Sequence, residues 1–138
     1  MLVENKQEDR TTYSYENYVC PNCLYPLNEC KCAEYPPYSL IMIDKEIQHI
    51  IRVLNGKGYN TIGCCESHYG LMSPCLYVIF DRKYDLDPPD GFKKVKNGTG
   101  IAHEYNRKIK EDDWKIEKET YLNVLKRWAE NLPRREGL

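Results

Sequence analysis

The sequence predicts an α+β protein in two parts. A small cysteine-rich knob comes first, followed by a mostly antiparallel four-stranded sheet packed by two helices. Three observations carry this expectation. Four of the seven cysteines crowd into the segment Cys20 to Cys32. After residue 38 the hydrophobic patterns run helix, strand, strand, strand, strand, helix, without the βαβ alternation of a parallel sheet. Between the two parts, Tyr35–Pro36–Pro37–Tyr38 reads as an extended, semi-rigid linker.

Composition narrows the class. With 41% hydrophobic and 30% charged residues, the chain has a globular rather than a disordered balance. Twelve tyrosines against two tryptophans and two phenylalanines predict a thin core with many half-exposed rings, because tyrosine buries its ring while its hydroxyl stays wet. A formal charge of -1 excludes a protein that grips nucleic acid by bulk field alone. Charge is unevenly divided: residues 1–37 carry 3 basic and 6 acidic side chains, and residues 38–138 carry 17 and 15. No apolar run approaches the roughly 18 residues of a membrane span. The opening MLVENKQEDR is too acidic and polar for a secretory signal, so a cytoplasmic location without membrane contact is expected.

Residues 1–17 lack periodicity and read as a flexible tail. Residues 18–37 hold the knob and the linker. There Cys20, Cys23, Cys30 and Cys32 follow the spacing C-x2-C-x6-C-x-C. A C-x2-C turn aims two sulfurs at one point, and a second close pair completes a tetrahedron around Zn2+. Pro21 and Pro26 stiffen the loop between ligands. With little apolar material beyond Leu24, Tyr25 and Leu27, the segment needs a metal to offset its ordering entropy. Two disulfides or free thiols are the alternatives. Disulfides fit less well without an export signal and with an odd cysteine total. The pattern resembles a short zinc ribbon or zinc knuckle, which implies a structural Zn2+ on those four cysteines. Leu24 stands where Gly often follows the first pair, and the second pair is C-x-C.

The remainder, 38–138, is read as the α+β domain. Asp44 is placed to cap a helix whose Ile47, Ile50, Ile51 and Leu54 form one apolar stripe. Asn55–Gly56–Lys57–Gly58 stops it. Strands are expected at 59–64 and at 76–81; in the second, L-Y-V-I-F is apolar on both faces, as in a central strand. Asp87–Pro88–Pro89–Asp90–Gly91 is a turn. Strands at 92–96 and 101–106 join across Asn97–Gly98–Thr99–Gly100 as a hairpin. A helix over 113–132 buries Trp114, Tyr121, Leu122, Leu125, Trp128, Ala129 and Leu132, and Pro133 ends it.

The loop after the first long strand concentrates reactive side chains. Cys65, Glu66, Ser67 and His68 place a thiol, a carboxylate, a hydroxyl and an imidazole in succession. Clustered polar groups on a loop held by a rigid strand are a usual way to present a ligand. Three readings stay open. The first is a plain turn with Cys64 packed inward and His68 merely hydrogen-bonded. The second is a ligand or nucleotide site using Thr61, Ser67, His68 and Tyr69. The third is chemistry, either catalysis by Cys65, Glu66 and His68 or a second metal on Cys65 and His68 with Cys75 or His103. Cys64 and Cys65 alternate on a strand, which weighs against both joining one ion.

The run N-x-x-G-Y-x-T, then a Cys-centred turn, then an apolar strand resembles small proteins of Firmicutes and their phages that read G-Y-x-T-x-x-C-C-x-G-H. Locally it is also similar to the wybutosine-synthesising tRNA methyltransferase family, marked by Thr followed by S-S-C-S-G-R. The matching positions are Thr61, Gly63, Cys64, Cys65, Glu66, Ser67 and His68, within a stretch from Ile47 to Phe80. Ser67 stands where that motif has Gly, and His68 where it has Arg. The first resemblance implies a phage-related regulatory protein, and the second an RNA- or nucleoside-modifying enzyme. No Gly-rich phosphate or adenosine cradle accompanies the motif.

Lys93, Lys94 and Lys96, with Arg107, Lys108 and Lys110, suggest a basic patch interleaved with Tyr84, Phe92 and Tyr105. The nearby Glu111–Asp112–Asp113 run and Asp85, Asp87 and Asp90 offer a mixed, solvated surface instead. His103 and Glu104 point to opposite faces of a strand and do not make a dyad, and His49 reads as packing. The functional expectation is a zinc-binding interaction protein that takes a nucleotide, nucleic acid or protein partner through residues 63–70 and the adjoining sheet. The enzyme on the Cys65–His68 loop is the alternative.

Overall fold

The computed structural model describes residues 17–32, 40–70 and 75–135. Of the expected flexible tail only Asn17 falls within these, and the expected Pro-Pro linker lies outside them. The chain divides into two compact units, 1–48 and 49–138.

In the first unit, strand β1 (Tyr18–Val19) pairs antiparallel with β2 (Ile41–Met42), matching Tyr18 to Met42 and Val19 to Ile41. Ile41 and Met42, read from the sequence as part of the larger domain, thus lend a strand to the smaller unit. Two-residue strands leave no period to read. Asp44 occupies the N-cap position of the 3-10 turn Lys45–Ile47, yet its side chain makes no capping bond. The Lys45 N–H is taken instead by the Asn17 side-chain oxygen at 3.0 Å, while the Ile43 N–H donates to the Asn17 carbonyl at 2.7 Å.

Helix α1 (Gln48–Gly56) buries Ile50, Ile51 and Leu54 on one stripe, as its spacing predicts, and ends at Gly58 with φ 95°. Four antiparallel strands follow: β3 (Thr61–Cys65), β4 (Cys75–Phe80), β5 (Lys93–Val95) and β6 (Gly100–Glu104). Their order across the sheet is β3-β4-β6-β5. Helix α2 (Glu111–Asn131) closes the unit; Glu111, Asp112 and Asp113 fill its first turn, where negative charge complements the helix dipole. This is the α+β class that the element order predicts.

Alternation along the central strands defines two faces. Leu76, Val78 and Phe80 of β4 are buried, with Ile101 and His103 of β6 beside them in register. On this face the His103 ring stacks on Tyr121 of α2, with centroids 3.6 Å apart. Cys75, Tyr77 and Ile79 point the other way and are only half-buried. The central position of β4 agrees with its apolar run, but its second apolar row lies on an incompletely covered face.

The ends of the two helices grip each other. Lys57, just past α1, donates through Nζ to the carbonyls of Ala129, Glu130 and Leu132 at the end of α2. In return Arg134 and Arg135 donate to the Gly56 and Gly58 carbonyls at 3.0 and 2.9 Å. Helix C-termini leave carbonyls without partners, and cations satisfy them. At the other end of the sheet, the expected turn before β5 closes on Gly91. Its φ is 83°, and an added Cβ would stand 2.4 Å from the Tyr121 ring, so only glycine fits there.

Candidate metal centre and ligand face

In the first unit the loop after β1 carries the predicted cysteines. The sulfurs of Cys20, Cys23, Cys30 and Cys32 all lie within 4.8 Å of one another. Four thiolates at a Zn–S distance of about 2.3 Å sit slightly closer than that, so the set fits a metal ion with little movement. Polar donors already face the sulfurs. The Asn22 N–H points to Cys20 Sγ at 3.3 Å, the Asn22 amide to Cys32 Sγ at 3.2 Å, and the Cys32 N–H to Cys30 Sγ at 3.3 Å. Such donors suit negatively charged sulfur.

Burial opposes ionisation of Cys20, but the Cys23 and Asn22 N–H groups, with the Cys30 and Cys23 thiols, bring it down to about 7. Burial pushes Cys30 up to about 12. At Cys32 the Asn22 amide pulls downward, but burial and the neighbouring thiols leave the group raised. Cys20 thus ionises readily while Cys30 and Cys32 hold their protons more firmly until a cation displaces them. Leu24 takes φ 63°, the left-handed conformation that glycine adopts freely, which explains why Gly often occupies this position in such loops.

The loop after β3 is tied down in the second unit. Glu66 pairs with Lys118 of α2 at 3.2 Å, with both side chains about nine-tenths buried (12% and 13% exposed), and Lys118 also lies 5.0 Å over the Trp114 ring. Ser67 is fully buried at φ 85° and accepts the Trp114 Nε1–H at 3.0 Å. Tyr69 donates to the Ile109 carbonyl, and Thr61 Oγ1 accepts from Asn55. These side chains hold the loop and β3 in place. His68 is exposed, and one of its ring nitrogens lies within 4.8 Å of Cys65 Sγ. Register places Cys64 beside Val78 on the inner face and Cys65 beside Tyr77 on the outer, as strand alternation predicts.

The outer face of the sheet is concave. A cavity of about 880 Å³ is lined by Ile62, Tyr77, Ile79, Val95 and Ala102, with Lys96, Glu104 and Arg107 among its polar members. Glycines let Ile79 lie low on this face. Gly63 and Gly100 flank Ile79, and a Cβ on Gly100 would stand 2.5 Å from Ile79 Cδ1. A register shift between Thr61 and Gly63 leaves Ile62 unmatched and 71% exposed at the rim. The predicted basic cluster divides here. Lys93 is matched to Ala102 and pairs with Glu104 at 3.2 Å, whereas Lys94 is matched to Ile101 and takes the opposite side. Lys96 and Arg107 line the cavity, and among the described residues neither pairs with a carboxylate. Cys75 lines it too, its thiol pushed up to about 11 by burial and by the charge of Glu104.

His103 faces inward and Glu104 outward, so they form no dyad. His103 Nδ1 lies 2.8 Å from the Gly91 carbonyl and Nε2 lies 3.2 Å from Glu117, which fixes the ring between the turn and α2. The concavity was hidden in the sequence because Tyr77, Ile79 and Ala102 read as ordinary core; only Gly63 and Gly100, a gap in side-chain volume on one face, signalled it. No family model, curated protein or solved structure matches this chain.

Proposed function

We propose that this chain is a zinc-stabilised interaction protein whose ligand seat is the concave sheet face of the second unit. Zn2+ on Cys20, Cys23, Cys30 and Cys32 serves structure: four protein sulfurs close the coordination shell and leave no position for a substrate. The observation that carries the binding role is the hollow itself. Its volume lies in the range of ligand sites, its floor is apolar, and its cations are few and placed at the margin. An anionic ligand with a flat or apolar body fits that lining, and a nucleotide is the simplest such body. The 63–70 loop, expected from sequence to make the contacts, supports the seat from below through Glu66–Lys118 and Ser67–Trp114.

Binding of uridine 5′-monophosphate followed by amide NMR shifts tests the seat. Shifts confined to β3, β4, β6 and the cavity-lining residues beside them, Lys96 and Arg107 included, and abolished by Ile79→Glu with the fold intact, support the reading. Shifts elsewhere overturn it, and so does silence from both this mononucleotide at millimolar concentration and a uridine six-mer. Titration with Co2+ tests the metal. One equivalent giving thiolate charge-transfer absorption that Zn2+ displaces supports the site, and the absence of stoichiometric binding refutes it.

A further inference from the structure

We infer that the ligand of this face is a short segment of single-stranded nucleic acid, laid across the sheet between Lys96 and Arg107 with a base against Tyr77. The inference rests on the binding role proposed above and names the class of ligand. Two features of the face select it. The first is the separation of the cations. Lys96 sits in the hairpin turn before β6 and Arg107 lies beyond the far end of the same strand. With β6 extended between them, their backbone origins are on the order of 20 Å apart. A single phosphate reaches one of them, whereas a chain of phosphates reaches both. The second feature is the floor. Tyr77 stands beside Ala102, and Ile79 lies low over Gly100 with Gly63 on its other side, so flat bodies can lie against the sheet. Base stacking on a sheet aromatic, flanked by backbone-tracking cations, is how sequence-tolerant single-strand platforms work.

Charge balance agrees. Glu104 is neutralised by Lys93, which leaves the cavity a surplus of two positive charges in a chain whose total is -1. An acidic peptide would match those charges, but it brings no flat ring for the floor.

Fluorescence anisotropy with labelled oligo(U) and oligo(dT) six-mers decides the matter, with uridine 5′-monophosphate, an abasic six-mer and a Glu-rich peptide of equal charge as competitors. The six-mers are expected to bind with a slope of log affinity against log salt near -1.4, about 0.7 for each of two phosphate contacts. Lys96→Ala and Arg107→Ala should each flatten that slope by about 0.7, while Lys126→Ala on the exposed side of α2 leaves it unchanged. Tyr77→Ala should weaken binding about tenfold or more. Preference for oligo(U) assigns RNA, preference for oligo(dT) assigns DNA, and equal binding assigns backbone and base without the sugar; each supports the inference. Equal competition by the abasic six-mer or the peptide overturns it. Six-mers that bind no better than the mononucleotide also overturn it while leaving the binding seat in place; silence from both ligands removes the seat as well.

Discussion

Lys57 provides the sharpest test of how the second unit is held together. Its ammonium satisfies three carbonyls at the end of α2, and two of those bonds are partly buried. Lys57→Met keeps the aliphatic stem and removes the charge. The exposed bond to Glu130 contributes little, because water replaces it. Each of the other two is a charge-assisted bond, worth about 1.5 kcal/mol at the low end for such contacts. Partial rescue of the carbonyls by water leaves an expected loss of about 2 kcal/mol. For a domain of this length that corresponds to a fall in Tm of roughly 8–16 °C. The assay is convenient, since both tryptophans, Trp114 and Trp128, lie on α2 and report on this unit alone. Guanidinium unfolding followed by their fluorescence should show a lower midpoint at constant slope. A loss below about 0.5 kcal/mol would refute the claim that the reciprocal grip of the helix ends stabilises the fold.

Three further outcomes are expected. Lys118→Met removes the cation that pairs with the mostly buried Glu66 carboxylate and should cost about 3 kcal/mol, whereas replacing both partners by Gln and Met together should recover much of it; the comparison is a double-mutant cycle by denaturation. Leu24→Gly relieves a left-handed leucine worth about 1 kcal/mol and should tighten metal binding in a competition titration, while Leu24→Ala, which keeps the strain, should not. Cys75 holds its proton to about pH 11 in the folded chain against about 9 when unfolded. Its contribution to stability is therefore complete below pH 9 and is lost as pH rises through 11, and alkylation of native protein at pH 8 should spare it; rapid labelling there would contradict the placement.

The cysteine cluster was legible because its information is local: four sulfurs within one loop declare themselves by spacing. The helices were legible for a similar reason. Ile50, Ile51 and Leu54, and Trp114, Leu125 and Ala129, repeat at intervals only a helix aligns. The β5–β6 hairpin followed from Asn97 and Gly98, which take φ 58° and 90° as a left-handed turn requires. What sequence missed depends on distant partners. Asn17 supplants Asp44 at the start of the 3-10 turn, a bond spanning 28 positions. Glu66 and Ser67 looked reactive because their partners, Lys118 and Trp114, lie about fifty residues away. A polar loop reads as a site until the groups that satisfy it are seen.

The margins of the sheet bear on how this molecule behaves in a crowded solution. At one border β5 is only three residues long and offers two lysines; at the other, β3 is distorted where Ile62 loses its match. Neither border is a good template for a neighbour's backbone, so the protein is built to resist stacking into ribbons or fibres at high concentration. Recognition by strand addition is discouraged by the same construction, and that leaves the broad surface, not the rim, as the side from which another molecule is met.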